Sequence, residues 1–337
     1  MRFIAPKKTD EFISPCTCLS DSDTLSAAMK SLGFVMLAAA LLPAATKQGM
    51  SPFTGRWDLT VKTPHDTYPS WMEFTQKGDT VQVRIVGRVA SVHPATEVKL
   101  EGSRLSFTTS EWFEKDINVT WEMSAAGGKL TGHQKRADGV EGEITGVPAP
   151  ALKRKPPAAW TNPEPLFNGK DLTGWEPDDP SHNHWKAQNA ELVNESAGAN
   201  IRTTRKFEDF KLHIEYNCPK DGNSGVYLRG RDEVQVEYEP PGANDKAHGM
   251  GSIYGFIAPA VDVAPRPGQW ESYDVTLVGR NVTVIRDGVT IIRNQEIPGI
   301  TGGALDSHEG EPGPLYIQGD HTGGMKYRNI TISVPQR

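Results

Sequence analysis

The chain has 337 residues, enough for two domains, and 37% of them are hydrophobic. Its 33 glycines and 25 prolines favour turn-rich β structure over helical bundles. A formal charge of −6 and an isoelectric point near 5.9 exclude the basic surface by which nucleic-acid-binding proteins attract phosphates. We therefore predict no nucleic-acid partner and leave polar neutral ligands open.

The first predicted element is a secretory signal peptide over residues 29–49. Lys30 precedes the apolar run LGFVMLAAALLPAAT, which ends in small residues, although a buried hydrophobic helix is the alternative. The run is too short to span a bilayer, so no membrane span is predicted. Residues 1–28 precede Met29 and are interpreted as an upstream extension. The predicted location is periplasmic or secreted.

Cysteine usage is compatible with export. Cys16 and Cys18 lie in the upstream extension, so the mature chain would keep Cys218 alone. A single cysteine allows no internal disulfide. No cysteine closely follows the apolar run, and a lipid-anchored form is therefore not indicated.

Residues 50–147 are predicted to form a small antiparallel β-barrel domain. The alternating runs are GRWDLTVKT, SWMEFTQKGDTVQVRIVG, TEVKLEGSRLSFTTS, NVTWEMSAAGGKLTGHQ and VEGEITGV, and they break at glycine-containing turns. The opening Gly55-Arg56-Trp57 resembles the Gly-x-Trp of the first strand of lipocalin-like barrels. Strand number and spacing agree with a small up-and-down barrel.

Residues 148–164 are rich in proline and are predicted to be an extended, semi-rigid linker. Strand patterns return in residues 165–337 without helices between them. Among them, VGRNVTVIRDGVTII carries an Asp-Gly turn between β-branched runs, a strong hairpin signal. This pattern predicts a two-sheet antiparallel sandwich.

Seven blocks of this second domain resemble, in order, those of the 3-keto-disaccharide hydrolase family. The blocks are PLFNGKDLTGW, FEDFKLHIEY, GNSGVYLRG, EVQVEYE, IYG, GQWE and GPLYIQGDHTGGMKYRNITI. The resemblance implies an all-β, concanavalin-like jelly roll, export, and cleavage of glycosides that already carry a ketone at C3. A sugar 3-oxidoreductase is then the implied functional partner.

The resemblance has limits that bear on the site. It does not extend to residues 51–147. Asn189-Ala190 begins the stretch NAEL where the family usually has an Asp-Gly turn, and Glu237-Tyr238 replaces its usual Leu-Asp or similar pair. The chemistry of the site is therefore argued from the residues themselves.

Strand alternation predicts which side chains share a sheet face. In FKLHIEY the aromatic and aliphatic residues lie on one face, so Glu215 lies on the other. In SGVYLRG and DEVQVEYE the same reasoning places Arg229, Glu233 and Gln235 on the face turned away from the apolar residues. If these three strands are neighbours, the polar side chains converge in one hollow suited to a sugar.

A 3-keto sugar has an acidic proton at C2, because its removal gives an enolate conjugated with the ketone. Cleavage at C1 by elimination, with water added afterwards, needs a base, an acid and a group that stabilises the C3 oxygen. We predict Glu215 or Glu233 as base or acid and Arg229 as enolate stabiliser. The predicted substrate-binding residues are Asn223, Tyr227, Gln235, Glu237, Tyr254, Trp270, Gln318 and His321. Paired-carboxylate hydrolysis through an oxocarbenium ion stays open.

Each candidate also has a plainer interpretation. Charged strand residues such as Glu233 and Glu237 are compatible with a solvated face, and exposed ion pairs contribute little. Asn223-Ser224-Gly225 also fits a simple turn. His321 also fits a histidine of a surface loop, and His248 is given no role beyond contact at the rim of the site. Trp175 and Trp270 could stack on sugar rings, but they also fit buried core residues.

No cofactor is predicted, and a divalent metal is left open as an alternative that no sequence feature supports. His182 and His184 have strand spacing that would allow two ligands, but no third ligand is evident. A non-catalytic, lectin-like carbohydrate-binding protein is the main alternative, because the same fold serves both roles. A third hypothesis is a structural module of a matrix or an assembly, because the barrel domain has no assigned role. The oligomeric state is left open.

Overall fold

The computed structural model describes residues 51–88, 91–112, 116–238 and 245–336. The predicted upstream extension and signal peptide lie outside the described residues. Within the described ranges, no helix is long and apolar enough to cross a membrane. Residues 49–337 form one compact unit, which contains both sheets of the sandwich and the N-terminal sheet.

The N-terminal part is one nine-stranded antiparallel sheet that curves into a nearly closed barrel, as predicted. Its strands are β1 Gly55–Lys62, β2 Thr67–Lys77, β3 Thr80–Val86, β4 Val92–Pro94, β5 Thr96–Glu101, β6 Arg104–Trp112, β7 Asp116–Ala126, β8 Lys129–Arg136 and β9 Glu141–Pro148. The spatial order is β4-β3-β2-β1-β9-β8-β7-β6-β5. Pairing of β1 with β9 joins the two ends of the meander.

Side chains fill the interior of this barrel. Strand β7 alternates strictly between buried and exposed residues, so Val119, Trp121 and Met123 point inward. Trp121 stacks on Phe107 with ring centroids 6.0 Å apart. Trp57 of the Gly-x-Trp motif is buried, and its indole nitrogen donates to a backbone carbonyl at 2.8 Å. The barrel therefore has an aromatic core of its own.

The C-terminal part is a two-sheet sandwich, which confirms the predicted fold class. Its strands are β10 Glu164–Pro165, β11 Trp175–Pro177, β12 Trp185–Gln188, β13 Glu191–Asn194, β14 Ile201–Thr203, β15 Phe210–Asn217, β16 Asn223–Leu228, β17 Asp232–Glu237, β18 Trp270–Val278, β19 Asn281–Arg286, β20 Val289–Glu296, β21 Tyr316–Ile317 and β22 Met325–Ser333. A 3-10 turn at Pro180–His182 precedes β12.

The two sheets of the sandwich differ in size and composition. The larger has the order β12-β13-β22-β15-β18-β19-β20, with β10 added on β22. The smaller has the order β11-β14-β21-β16-β17. Apolar faces of both sheets enclose one core. The predicted hairpin joins β19 and β20 through Asp287 and Gly288, whose φ angles of 47° and 79° suit a tight hairpin turn.

The proline-rich segment between the barrel and the sandwich is held against the second domain. Arg280 Nε donates to the carbonyl of Pro150 at 2.9 Å, and Arg154 pairs with Asp209 at 3.0 Å. These contacts fix the point at which the chain leaves the barrel.

An apolar cluster joins the barrel to the sandwich. Trp71 and Val86 of the barrel pack against Ile300 and Ala304 of the sandwich. Trp71 also meets Phe256 edge-on, with ring centroids 5.3 Å apart. These contacts hold the barrel against the loops that follow β17 and β20.

A buried polar cluster lies in the same interface. The Arg280 guanidinium makes two hydrogen bonds of 2.6 Å to the carboxylate of Glu309. Asp58, on barrel strand β1, is 5% exposed and also bonds to Glu309. Burial, aided by the Glu309 charge, raises the pKa of Asp58 to about 9. At neutral pH Asp58 is therefore protonated and donates to Glu309.

Replacing Asp58 with asparagine should make the protein more stable at pH 8. The raised pKa means that the native state keeps a proton which the unfolded chain releases above about pH 4, so stability falls as pH rises from there towards about 9. This slope is at most about 1.4 kcal/mol per pH unit for one group. The asparagine amide would still donate to Glu309, and it has no proton to lose in this range. Thermal unfolding of both proteins between pH 5 and 9 measures the difference.

The exposed Asp79 provides the matched control. Asp79→Asn should keep the wild-type dependence of melting temperature on pH. A parallel pH dependence for wild type and Asp58→Asn would show that Asp58 is not protonated in the native state.

Candidate active site

A polar pocket of about 180 Å³ lies on the outer face of the smaller sheet, where this sheet meets the barrel. The lining residues are Arg88, Asn223, Tyr227, Glu233, Gln235, Tyr254, Gly302, Gly303, Gln318, Asp320 and His321. A larger groove of about 740 Å³ crosses the barrel surface, but its acids and its histidine are exposed to solvent. Of these two, the smaller pocket combines acid-base groups with burial.

Strands β16 and β17 build the floor of the pocket by simple alternation. Val234 and Val236 point into the core, so Glu233 and Gln235 point the other way. Across the ladder, Gly225 on β16 lies beside the carboxyl of Glu233, and a Cβ at that position would overlap Glu233 Oε1. Glycine is therefore required there, because the Glu233 side chain occupies the space.

Glu233 has the electrostatic environment of an acid-base group. It is 3% exposed, and burial raises its pKa to about 8, with further upward contributions from Asp320 and Glu237. A pKa near the working pH lets a carboxyl group both accept and return a proton.

His321 and Asp320 form a hydrogen-bonded pair at the rim of the pocket. His321 Nδ1 lies 2.6 Å from Asp320 Oδ1, and about half of each side chain is exposed. The Asp320 carboxylate raises the pKa of His321 above its usual 6.5. The hydrogen bond to Asp320 fixes the orientation of the imidazole ring and favours its protonated form. In that form both ring nitrogens are hydrogen-bond donors.

Two amide oxygens in the pocket lack hydrogen-bond partners. Asn223 Oδ1 and Gln318 Oε1 are both buried and unpaired. An unmet buried acceptor costs about 1–3 kcal/mol. Both residues line the pocket, so their amide groups are candidates for contact with a hydroxylated ligand. Tyr254 adds a phenol to the wall, and its ring rests edge-on against His248 at 4.8 Å.

Glu215 does not line this pocket, which corrects the expectation of one shared hollow. It lies on β15, in the larger sheet, on the face turned away from the core. Its carboxylate is held by Arg328 at 2.6 Å and by Asn329 at 2.7 Å. Alternation correctly put Glu215 outside the core, but it carried no information on which sheet receives the strand.

Arg229 is also outside the pocket, for a different reason. Strand β16 ends at Leu228, and Arg229 adopts a left-handed turn conformation with φ of 53°. The turn ends the alternation, and the buried guanidinium donates to the carbonyl of Gly279 at 2.9 Å, with Asp232 at 3.4 Å. Arg229 is thus a buried structural residue rather than an enolate stabiliser.

Trp270 lies away from the pocket as well. Its ring stacks on Arg328, with the guanidinium carbon 4.0 Å from the ring centroid. This places it on the outer face of the larger sheet, beside Glu215. Trp175, by contrast, is 5% exposed and belongs to the sandwich core.

The remaining predicted residues are distributed as follows. Glu237 follows Gln235 on the same face, and the amide of Gln235 donates to it at 3.3 Å. His182 and His184 have separate partners, Asp179 and Ser196. Among the residues that the structure describes, no group of three or more His, Cys, Asp and Glu side chains is placed to hold a metal ion.

Three residues that line the pocket were not predicted from the sequence. Asp320 directly precedes His321 in a glycine-rich loop. This adjacent acid and histidine could have been identified from the sequence as a hydrogen-bonded pair. Gly303 has φ of 76°, and a Cβ there would be 2.6 Å from the hydroxyl of Tyr227. Arg88 comes from the barrel, and nothing in its local sequence indicates contact with the second domain.

The sandwich part of the chain matches a known family. The model of the 3-keto-disaccharide hydrolase family, described as a 3-keto-α-glucoside-1,2-lyase-like domain, matches residues 162–333, about half of the chain. A search of curated proteins found no significant match.

Several solved structures are similar to the sandwich part. A candidate glycosyl hydrolase from Parabacteroides distasonis ATCC 8503 is 27% identical, covers 53% of this chain and 92% of its own, and gives a TM-score of 0.44. A second candidate glycosyl hydrolase from that strain is 22% identical, with 52% and 100% coverage and a TM-score of 0.41. The endo-β-1,3(4)-glucanase SCLam, of family GH16, is 11% identical, with 54% and 94% coverage and a TM-score of 0.34.

The match to this family model supports a carbohydrate-active enzyme of glycosyl-hydrolase type. The chain belongs to the 3-keto-disaccharide hydrolase family through residues 162–333. The barrel lies outside the matched segment.

Proposed function

We propose that the protein is an exported enzyme that cleaves 3-keto-glycosides or 3-keto-disaccharides by elimination and rehydration. The observation that carries this proposal is Glu233, a buried carboxyl group with a pKa of about 8 on the floor of a pocket whose rim holds a protonatable histidine. Burying a carboxyl group costs free energy. The proposed enzyme uses this burial to raise the pKa of Glu233 into the range in which the group accepts and returns a proton. Export rests on the signal-like run after Lys30.

The proposed reaction begins with the ketone already present at C3. The Glu233 carboxylate removes the C2 proton, and the charge passes into the enolate at the C3 oxygen. The enolate then collapses, the C1–O bond breaks, and His321 gives a proton to the leaving oxygen. Water finally adds its hydroxyl to C1 while C2 regains a proton. Ionised Glu233 and protonated His321 are the active pair.

Sugar binding is assigned to the amides and the phenols of the pocket. Asn223 and Gln318 line the pocket, and their amide groups are the proposed partners of sugar hydroxyl groups. Tyr254 lies on the same wall and is able to donate to the C3 oxygen, where its hydroxyl would stabilise the developing enolate. Tyr227 is fixed by its own bond to the carbonyl of Gly302 at 2.9 Å.

Turnover of 3-keto-trehalose or a 3-keto-β-glucoside in heavy water tests the mechanism. We expect products with deuterium at C2, detected by mass spectrometry, and no cleavage of the unoxidised sugars, whose C2 protons are not acidic. An enzyme-free sample corrects for spontaneous exchange beside the ketone. Products that retain protium at C2 would favour the oxocarbenium route. Binding of sugars without turnover of any keto sugar would favour the lectin-like alternative.

A further inference from the structure

We propose that the barrel completes the active site by supplying the subsite for the leaving group, and that Arg88 makes this subsite specific for a second sugar unit. The inference rests on the proposed function, because a leaving-group subsite needs a glycoside that is cleaved. It extends that function by assigning a role to the barrel, which lies outside the matched family segment.

Arg88 lies between two cavities. On one side it lines the pocket that contains Glu233. On the other it lines a cavity of about 130 Å³ at the mouth of the barrel. The polar side chains of this second cavity include Thr63, Asp66, Tyr68, Gln134 and Arg136. A glycoside with its reacting ring over Glu233 would therefore extend its other ring past Arg88 and into the barrel mouth.

The chemistry of the barrel mouth favours a hydroxylated ligand. It presents hydroxyl, amide, carboxylate and guanidinium groups, a mixture of donors and acceptors that suits sugar hydroxyls. Tyr68 is 8% exposed, and its hydroxyl is 2.9 Å from Gln134 Oε1. An apolar leaving group would remove these polar groups from water without replacing their hydrogen bonds, which is costly.

Arg88 is held in place before a substrate arrives. Its guanidinium pairs with Asp66, and its backbone nitrogen donates to Glu111 at 3.3 Å. Gly87 lies directly against the Glu111 carboxylate, where a Cβ would overlap it. About 44% of the Arg88 side chain remains exposed, so the guanidinium keeps access to a ligand.

The barrel is also fixed relative to the pocket. Ser91 of the barrel lies so close to Gly255 that a Cβ on the glycine would overlap it, and Gly255 follows the pocket residue Tyr254. Trp71 and Phe256 anchor the same region by their edge-on contact. Arg88 therefore lies in a part of the site to which both the barrel and the sandwich contribute.

The test compares leaving groups in steady-state kinetics. The substrates are a 3-keto-disaccharide, the methyl 3-keto-glucoside and the nitrophenyl 3-keto-glucoside. For wild type we expect a higher kcat/KM for the disaccharide than for the methyl glucoside, because both lose an alkoxide and differ in the second sugar unit. The nitrophenyl glucoside, whose leaving group departs more easily, shows how far leaving-group chemistry alone changes the rate. Arg88→Ala should lower kcat/KM for the disaccharide about 10- to 100-fold, mainly through KM, since a charge-assisted hydrogen bond is lost. The methyl glucoside should change by less than about threefold.

Arg84→Ala is the matched control. Arg84 is also a barrel arginine paired with a carboxylate, Glu73, and its side chain is 43% exposed, yet it does not line either cavity. It should leave all three substrates unchanged. Tyr68→Phe, which removes one hydroxyl group and keeps the ring, should also weaken the disaccharide selectively. Melting temperatures of the variants verify that they fold.

A binding experiment separates this inference from the proposed function. Calorimetry with the unoxidised disaccharide and monosaccharide should show tighter binding of the disaccharide, lost in Arg88→Ala. If no keto sugar is cleaved but this difference persists, the proposed function fails and the subsite stands. If keto sugars are cleaved with no preference for the disaccharide, or if Arg88→Ala affects all substrates equally or none, the subsite is refuted.

Discussion

Glu233→Gln should reduce kcat for a 3-keto-disaccharide by about 100- to 10,000-fold, the usual contribution of a positioned general base. Glutamine has the shape of glutamate, so the strand pairing and the fit against Gly225 are kept while the basic oxygen is lost. Binding of the substrate should persist, because the sugar contacts assigned to Asn223, Gln318 and Tyr254 remain. Rapid-mixing or steady-state kinetics together with calorimetry measure both quantities.

The pH dependence tests the same assignment. Since the pKa of Glu233 is raised to about 8 by burial, the fraction of the active carboxylate grows with pH, and kcat/KM should rise with pH on the acid side of its optimum. Loss of the His321 proton should lower the rate at higher pH. A rate that falls steadily from pH 6 upwards would instead mean that protonated Glu233 is the reactive form, acting as the acid.

Glu215→Gln is the control that the fold provides. Both glutamates were candidates from strand alternation, but Glu215 lies on the larger sheet in a pair with Arg328. Its replacement should leave kcat within about threefold of wild type, because Glu215 does not line the pocket and its partly buried ion pair acts on folding stability rather than on the chemical step. Equal losses in both variants would contradict the placement of the active site on the smaller sheet.

Glu309→Ala should destabilise the protein by about 3–5 kcal/mol, the typical cost of leaving one charge of a buried pair without its partner. The change would leave the guanidinium of Arg280, which is 3% exposed, without its carboxylate partner. It would also remove the acceptor of the Asp58 proton. Because Asp58 belongs to the barrel, the loss should also loosen the contact between the barrel and the sandwich. Urea unfolding at pH 7 measures the change in free energy.

Glu311→Ala controls for this effect. Glu311 is exposed, and its contact with Arg231 is through its backbone carbonyl, which the substitution keeps. We expect a change in free energy below about 0.5 kcal/mol. A loss of similar size at both positions would mean that the Arg280 pair has no special role.

Local sequence patterns predicted much of the architecture because they report local geometry. Alternation in NVTWEMSAA predicted a strand, and Asp287-Gly288 predicted a hairpin, because both depend on neighbouring residues alone. The same alternation placed Glu233 and Gln235 on one face of a strand. It failed at Arg229, where a turn with positive φ ends the regular strand.

The sequence by itself determined the all-β composition, the two sets of strands, the family resemblance of the second half and the polar face around Glu233. The tertiary structure alone decided which strands are neighbours, and it thereby separated Glu215 from Glu233 by placing them in different sheets. It also brought Arg88 of the barrel to the pocket. The physical reason is that alternation is a property of one strand, whereas strand order and domain contacts are decided by burial of apolar surface between residues far apart in the chain.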